Sequence, residues 1–202
     1  MAKDASIKPK VGRPRSEKAR VAIITATDVL LREMGGTGLT IEAIAKRAGV
    51  GKPTIYRWWP SMADIVLEVL LHRAGREIPV EQGETLEHTL RLFLRRSMQA
   101  IHDGSGAHLR FLMAQAQQDE AFRQRFREKF TAQRRGVLRE ILVEAAEKGG
   151  QDMDHDPDLL VDMIFGAMWY RLLTGHGPLD QAFADQLAGL AAGLARVSDG
   201  AS

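Results

Sequence analysis

The sequence of 202 residues contains no cysteine. Disulfide bonds, thiolate nucleophiles and cysteine-based zinc sites are therefore excluded together, and a reducing compartment is compatible with this composition. Proline is scarce, at 7 residues, while 45% of the residues are hydrophobic and 27% are charged. This balance is ordinary for a helix-rich globular protein that can bury a core.

Long hydrophobic runs are also absent. No stretch approaches the roughly 20 apolar residues that span a bilayer. The initial segment, MAKDASIKPK, lacks the apolar stretch of a secretory signal. We therefore expect a cytoplasmic protein with no membrane partner.

The charge is unevenly distributed along the chain. Residues 1–59 hold 12 Lys and Arg against 5 Asp and Glu, a net charge of +7, whereas residues 60–202 hold 16 against 21, a net charge of −5. A basic segment joined to an acidic one is typical of a nucleic-acid-binding module attached to a module with another task.

Helical periodicity dominates the sequence, since apolar residues recur at three- and four-residue spacing and no stretch alternates convincingly at period two. The pattern predicts an all-α fold of about nine helices, in which a three-helix helix-turn-helix domain precedes a larger helical domain. Glycine-containing breaks separate the helices. The predicted helices cover residues 16–34, 41–48, 52–58, 61–77, 84–101, 108–118, 120–147, 157–174 and 180–197.

Three regions follow from these patterns. Residues 1–15 contain almost nothing apolar with which to form a core, and we interpret them as a flexible basic arm. Residues 16–60 are predicted to form the DNA-binding domain. Residues 61–202 are predicted to form a second, larger helical domain.

The helix-turn-helix prediction depends on an ordered set of residues. Ala45 is small enough for two helices to cross closely, and Gly49, four residues later, suits the positive φ of a tight turn. Val50 and Ile55 are apolar and can contact the supporting first helix. Thr40 can cap the second helix by accepting a hydrogen bond from the amide of residue 42 or 43.

The segment GLTIEAIAKRAGVGKPTIYRWWPSMADIV resembles the N-terminal signature of the tetracycline-repressor (TetR) family, and the similarity extends over residues 15–70. In that family the helix matching residues 52–58 enters the major groove. The resemblance therefore implies base contacts near Gly51 to Thr54 and phosphate contacts from the Tyr56 and Thr40 hydroxyls. The residues assigned to DNA binding are Thr40, Gly51, Lys52, Pro53, Thr54, Tyr56 and Arg57, with Arg13 and Arg15 in the arm.

The arm has two interpretations. Arg13 and Arg15 could lie in an A·T-rich minor groove, as arginine-bearing arms do. The arm could equally be a solubilising tail. Phosphate binding by the arm would steepen the salt dependence of DNA binding, by about 0.9 in the log-log slope for each phosphate neutralised.

Two positions depart from the family pattern. The family commonly has a phosphate-binding lysine after the Pro60-Ser61 pair, whereas this chain has Met62. That phosphate contact is therefore absent, or a backbone amide at the helix N-terminus supplies it. Trp58 is bulkier than the residue usual at its position, and we expect it to be partly exposed while Trp59 packs inward.

Other chemistries have weak support. Residues 49–54 resemble a phosphate-binding loop only superficially, because a proline interrupts the motif and no strand precedes it. The alternating aspartates of residues 152–158 lack the glycine and final glutamate of a calcium loop, and Asp156 with Pro157 fits better as a helix start. The histidines lack metal-pair spacing, and no nucleophile-elbow motif is present. We expect no cofactor, no metal site and no enzymatic activity.

Three phenylalanines, Phe122, Phe126 and Phe130, recur at four-residue spacing among basic residues. A second nucleic-acid surface is one interpretation of this pattern. Periodic aromatic residues usually face inward, however, and we favour a core stripe.

The last two predicted helices are expected to form a dimer interface. Residues 157–174 are apolar around too much of the helix for one solvated side, and residues 180–197 form a narrow apolar seam flanked by small residues. Two such helices from each subunit could form a four-helix bundle about a twofold axis, which is also the usual TetR dimer. The assigned interface residues are Met163, Ala167, Phe183, Leu187, Leu190 and Leu194.

The resemblance to the TetR family also implies that residues 61–202 form a domain for effector binding and dimerisation. The effector pocket is then expected between residues 84–101, 108–118 and 157–174. Aromatic and methionine side chains there could line a pocket for a flat or apolar ligand, although each could simply be core. The assigned pocket residues are Phe93, Met98, Phe111, Met113, Phe165 and Trp169.

The sequence therefore predicts a sequence-specific DNA-binding regulator. Resemblance to the TetR family implies a homodimeric repressor that binds a palindromic operator in double-stranded DNA and is released by a small-molecule effector. The alternative is an effector-independent DNA-binding or architectural protein whose C-terminal half only dimerises. A helical enzyme would require a convergent polar constellation in the same pocket.

Overall fold

The computed structural model describes residues 16–34, 38–77, 81, 83–149, 153 and 155–195. These residues contain no strand, which confirms the all-α prediction. Helices α1–α10 span Glu17–Glu33, Ile41–Ala48, Lys52–Tyr56, Met62–Glu77, Leu86–Ala100, Gly106–Gln118, Glu120–Phe126, Ala132–Gly149, Pro157–Thr174 and Gln181–Leu194. Two π turns, π1 at Ile101–Ser105 and π2 at Arg127–Thr131, join α5 to α6 and α7 to α8.

Side-chain caps start most of the helices. The Thr40 hydroxyl accepts a 3.1 Å hydrogen bond from the Ala43 amide, and the Asp156 carboxylate accepts one of 2.9 Å from the Asp158 amide. Both caps confirm the sequence predictions. Ser16, Thr85, Asp119 and Asp180 cap α1, α5, α7 and α10 in the same way. Each cap satisfies an amide that has no partner within its helix.

Helices α1, α2 and α3 form the predicted helix-turn-helix. Gly49 ends α2 with a φ of +65°, the left-handed conformation that the turn requires. Ala45 is buried where α2 passes the other helices, and Ile44 and Ile55 are fully buried beside Ile23 of α1. The small residue, the glycine and the bridging apolar residues therefore occupy their expected places.

Helix α4 contacts both parts of the molecule. Its buried side chains belong to a core cluster shared by α1, α2, α3, α6 and α7. A second cluster joins α5, α8, α9 and α10. Apolar contact is therefore continuous from the helix-turn-helix through α4 into the C-terminal helices.

The two π turns shape the C-terminal helices. Helix α7, turn π2 and helix α8 form one rod, as predicted for residues 120–147, and Phe122, Phe126 and Phe130 are buried along it as a core stripe. The break predicted between residues 101 and 108 is present as a kink at Gly104, where the backbone is non-helical, and α6 follows directly from Gly106. Gly104 makes the kink with φ 118° and ψ −17°.

None of the helices in the described ranges is long and apolar enough to cross a membrane. Helix α10 ends at Leu194, and the predicted extension to Val197 lies outside the described residues, as does the basic arm.

The kink at Gly104 generates a stability prediction. Gly104→Ala should lower the free energy of unfolding by about 1 to 3 kcal/mol, because an L side chain rarely adopts this φ. The added Cβ would also lie 2.6 Å from Arg32 Cδ. Urea unfolding followed by circular dichroism, at fixed protein concentration, measures the effect.

Gly136→Ala is the matched control, since Gly136 lies within α8 and a Cβ added there would meet no atom within 4 Å. It should stabilise the protein by about 0.5 to 1 kcal/mol. Equal effects of the two substitutions would contradict the assignment of backbone strain to the kink.

Candidate functional site: a nucleic-acid interface and an inner cavity

The N-terminal end of α3 is exposed to solvent. Gly51, Lys52 and Pro53 are exposed, and Thr54 is half-buried. Tyr56 is 55% exposed, an unusual state for a large aromatic ring, and Arg57 is exposed beside it. The predicted DNA-binding residues of α3 therefore share one accessible surface, while Ile55 between them faces the core.

Lys52 is not a free cation on this surface. Its ammonium group forms an ion pair with Glu42 of α2. The hydrogen bond from Lys52 lowers the pKa of Glu42, and the same bond raises the pKa of Lys52. No sequence pattern indicated this pair, because the two residues are ten positions apart in different helices.

The tryptophan pair confirms the sequence prediction. Trp59 is buried and Trp58 is half-buried. The Trp59 indole N–H donates a 2.5 Å hydrogen bond to Glu68 of α4, and Glu68 forms an ion pair with Arg20 of α1. These contacts fix the end of the DNA-binding unit against α4.

Met62 occupies the position where the family commonly has a phosphate-binding lysine. Its side chain is half-buried and packs against the core. Ser61 accepts a 3.2 Å hydrogen bond from the Asp64 amide and thereby caps the start of α4. Arg13 and Arg15, also assigned to DNA binding, lie outside the described residues.

An ion pair holds the first turn of α4 against α7. Arg125 donates two hydrogen bonds to the Asp64 carboxylate, at 2.8 and 3.2 Å. Such a two-point contact fixes the orientation of both partners.

A second polar cluster, which we call the Asp28 network, joins α1, α4 and π1. Arg73 of α4 donates hydrogen bonds to Asp28 of α1 at 3.1 Å, to the Asp103 carbonyl at 3.1 Å and to the Ser105 hydroxyl at 3.3 Å. One arginine thereby connects the DNA-binding helices to the kinked turn.

His108 completes the Asp28 network from α6. The ring is fully buried, with Nδ1 2.9 Å from the Gly104 carbonyl oxygen and Nε2 3.0 Å from an Asp28 carboxylate oxygen. Each ring nitrogen therefore lies within hydrogen-bonding distance of an oxygen atom, one from π1 and one from α1. The sequence gives no indication of this role for His108, since the spacing of the histidines bears only on metal binding. The described residues hold no cluster of three or more His, Cys, Asp or Glu side chains suited to a metal.

Two opposing effects act on Asp28. Burial raises the pKa of its carboxyl group, but the hydrogen bond from His108 and the charges of Arg73, His108 and Arg32 outweigh burial and lower that pKa overall. Asp28 is therefore held as a carboxylate between cations.

A small inner cavity of about 40 Å³ lies next to the Asp28 network. Most of its surface is apolar. The lining residues are Leu70 and Ala74 of α4, Ser97 and Ala100 of α5, Ile101 and Ser105 of π1, Leu109 of α6, Phe130 and Arg134 of π2 and α8, and Phe165, Met168 and Trp169 of α9. Segments of the C-terminal helices and α4 therefore meet around one space.

The structure distributes the predicted pocket residues among different places. Phe165 and Trp169 line the inner cavity. Phe93 and Met98 are buried in the cluster of α5, α8, α9 and α10. Phe111 and Met113 of α6 pack with the other cluster. The sequence does not predict that Ser97, Ser105 and Arg134 line this cavity, because no periodic pattern marks a polar side chain that faces inward.

A larger hollow of about 650 Å³ lies elsewhere, beside π1 and the C-terminal end of α9. It is an open surface groove with Arg32, Arg110 and Arg171 around it. Because such a groove does not enclose a ligand, the inner cavity is the better candidate for a small-molecule site.

Helices α9 and α10 expose an apolar face. It comprises Leu159, Met163, Tyr170, Leu173, Leu190 and Leu194, which are 38 to 67% exposed. Three of these residues were predicted for the dimer interface. Of the other predicted residues, Ala167, Phe183 and Leu187 are half-buried, and the Arg171 guanidinium lies 3.5 Å from the Phe183 ring centroid.

The helix-turn-helix with an exposed α3 and the helical C-terminal part define the class of protein as a DNA-binding transcriptional regulator. Comparison with known families specifies it further. Residues 23–69 match the bacterial regulatory proteins of the TetR family, and residues 80–191 match the tetracyclin repressor-like C-terminal domain. The chain belongs to the TetR family.

Individual relatives agree with this assignment. The chain is 29% identical over 178 residues to an uncharacterized HTH-type transcriptional regulator, YdeS, of Bacillus subtilis, with 88% of this chain and 90% of YdeS covered. It is similar to the TetR family transcription regulator SCO0332, with a TM-score of 0.72, 30% identity and coverage of 89% of this chain and 100% of that one.

The fold is also shared with the regulator FadR of Bacillus subtilis, whose crystal structure is a complex with stearoyl-CoA. The TM-score is 0.68 at 22% identity, with 87% of this chain and 99% of the FadR chain covered.

The lowered pKa of Asp28 generates a prediction about acid stability. At pH 7, Asp28→Asn should lower the free energy of unfolding by about 2 kcal/mol, because Arg73 and His108 lose the charge they face. A depressed carboxyl pKa stabilises the fold above the unfolded value of about 3.9 and ceases to do so as the pH falls through the folded value.

The difference between wild type and variant should therefore shrink as the pH falls below about 4. Urea unfolding at several pH values, at one protein concentration, measures it. A difference that stays constant from neutral to acid pH would contradict the charge interaction.

Proposed function

We propose that this regulator is a homodimeric repressor that binds a palindromic operator and is released by a small molecule held in the inner cavity. The observation that carries the proposal is the position of α4. Leu70 and Ala74 of this helix line the cavity, while Glu68 and Arg73 of the same helix hold α1. A change in the cavity therefore acts directly on the support of the DNA-binding helices.

The size of the cavity suggests how release occurs. Pockets for small molecules usually have about 300 to 1,000 Å³, far more than the 40 Å³ present here. A ligand can enter only if surrounding helices move apart. Because α4 forms one side of the cavity, ligand entry displaces α4 and with it the spacing of the two α3 helices in the dimer.

The Asp28 network provides a second way in which ligand binding displaces α4. Ser105 lines the cavity and accepts a hydrogen bond from Arg73, which also binds Asp28 of α1. A ligand that binds the Ser105 hydroxyl competes with Arg73. To shift the population from mostly operator-ready to mostly released, the ligand must bind the released state about 5.5 kcal/mol more tightly.

We assign DNA contacts to the exposed surface of α3. Lys52, Pro53 and Thr54, following Gly51, face the base edges, and the Tyr56 and Thr40 hydroxyls contact phosphates, with Arg57 beside them. This surface is accessible, and Arg57 is a cation for which no ion pair is formed within the described residues. We expect the protein to act in the cytoplasm, where bacterial operators are found.

The apolar face of α9 and α10 supports dimerisation. Six large apolar side chains grouped on two adjacent helices are costly to leave in water, at roughly 25 cal/mol for each Å². Gly166 and Gly193 on the same helices have open space where a Cβ would be, which permits close approach of another helix. A second copy of these two helices completes a four-helix bundle about a twofold axis.

One experiment tests the proposal as a whole. Selection of bound sequences from random DNA should enrich a palindrome, and a compound screen should then find molecules that dissociate the complex. Failure to enrich any sequence would falsify the repressor function. An enriched palindrome that no compound releases would favour the effector-independent regulator instead.

The α3 surface generates a DNA-binding prediction. Thr54→Ala should cost about 1 to 3 kcal/mol of affinity for the selected operator, because base contacts are lost, with little effect on unrelated DNA. Tyr56→Phe should weaken binding to both DNAs alike, because it removes a phosphate contact. Fluorescence anisotropy at fixed salt measures both.

Lys129→Ala is the control, since Lys129 is an exposed lysine on π2 in the C-terminal part. Its affinity for DNA should match that of the wild type. If Thr54→Ala and Lys129→Ala behaved alike, α3 would not be the surface that reads bases.

The apolar face generates a prediction about assembly. Leu190 is 67% exposed, and Leu190→Glu should convert the dimer into a monomer, because two buried carboxylates would face each other at the interface. Sedimentation velocity at micromolar concentration measures the change, and operator affinity should fall with it. Ala114→Glu is the control, because Ala114 lies on the exposed side of α6, and this variant should remain dimeric. A monomeric wild type would refute the proposed interface.

A further inference from the structure

Arg134 is the one charged residue among those that line the inner cavity. It lies in the first turn of α8, and most of its surface is buried. Its guanidinium carbon is 5.0 Å from the centroid of the Phe93 ring, so one side of the group contacts an aromatic face. The remaining residues around the cavity are apolar apart from two serines.

The Arg134 guanidinium forms no ion pair or hydrogen bond with any other described residue, whereas the other two arginines of α8 are both paired. Its neighbours show the contrast: Arg135 binds Asp158 and Asp162, and Arg139 binds Asp158. Burial lowers the pKa of Arg134 to about 10, so the group remains charged at neutral pH. A buried cation without a partner is costly, and retention of such a group is typical of a ligand site.

Hydrogen-bond donors predominate around this space. The guanidinium carries five N–H donors. The Ser105 hydroxyl oxygen accepts from Arg73, which leaves its O–H for another acceptor. No Asp or Glu lines the cavity among the described residues. The ligand must therefore supply the acceptor and the negative charge.

We propose that the effector is an apolar molecule with a single carboxylate, which pairs with Arg134 while its body lies against Phe130, Phe165 and Trp169. This inference rests on the proposed function, since it takes the inner cavity as the effector site. One guanidinium matches one carboxylate in charge and in two-point hydrogen bonding. A phosphate dianion would remain partly uncompensated in these surroundings.

Paired probes test the carboxylate. Octanoate and phenylbutanoate are compared with octanol and phenylbutanol, which have the same bodies without the charge. Binding to the full chain is followed by calorimetry and by intrinsic tryptophan fluorescence, to which Trp169 in the cavity lining contributes. Each acid should bind at least about tenfold more tightly than its alcohol, since a charge-assisted hydrogen bond is roughly twice as strong as one between neutral groups.

Variants locate the interaction. Arg134→Gln should reduce the affinity for the acids at least about tenfold and leave the affinity for the alcohols nearly unchanged. Arg127→Gln is the control, because Arg127 is exposed on π2, and it should bind the acids like the wild type. Unfolding curves of both variants show whether the fold is kept.

The outcomes separate this inference from the proposed function. Equal binding of acids and alcohols contradicts the pairing of a carboxylate with Arg134, and so does acid binding that is unchanged in Arg134→Gln. Either result still leaves the inner cavity as an effector site. Absence of binding by any acid contradicts that pairing as well. Arg134-dependent binding that does not weaken the operator complex supports the carboxylate and refutes release by the effector.

Discussion

The structure depends on the double attachment of helix α4. Its apolar side chains are buried in the core that continues from the helix-turn-helix into the C-terminal helices. Its polar side chains form ion pairs with other helices. Glu68 and Arg73 pair with residues of α1, and Asp64 pairs with a residue of α7. Since packed interiors have discrete rather than continuous arrangements, α4 cannot shift at one end without affecting the contacts at the other.

The Asp28 network and the inner cavity lie side by side along α4. Buried charges are costly unless they are paired. Arg73 pairs with Asp28, and His108 Nε2 lies 3.0 Å from the same carboxylate. Arg134, which lines the neighbouring cavity, has no such partner in the described part of the chain. The Asp28 network therefore holds helices together, whereas Arg134 is the residue to which we assign ligand binding.

Much of the DNA-binding half could be predicted from local sequence. Short-range sterics and hydrogen bonds suffice there. Thr40 indicates a helix cap, Ala45 a close helix crossing and Gly49 a turn. Ile55 indicates a buried contact with the first helix. The kink at Gly104 was harder to predict. A glycine predicts a break, but whether the chain leaves the helix or bends within it depends on distant contacts. Arg73 of α4 supplies them by donating hydrogen bonds to the Asp103 carbonyl and the Ser105 hydroxyl.

The sequence by itself determined the all-α class, the helix-turn-helix and its basic charge, because periodicity, capping and composition act within a few residues. The tertiary structure alone decided that Lys52 pairs with Glu42, that Asp28 is held between His108 and Arg73, and that Arg134 faces a cavity with Phe165 and Trp169 while other predicted pocket residues do not. These features join residues from different helices, and their distances depend on how the helices pack, which no local pattern records.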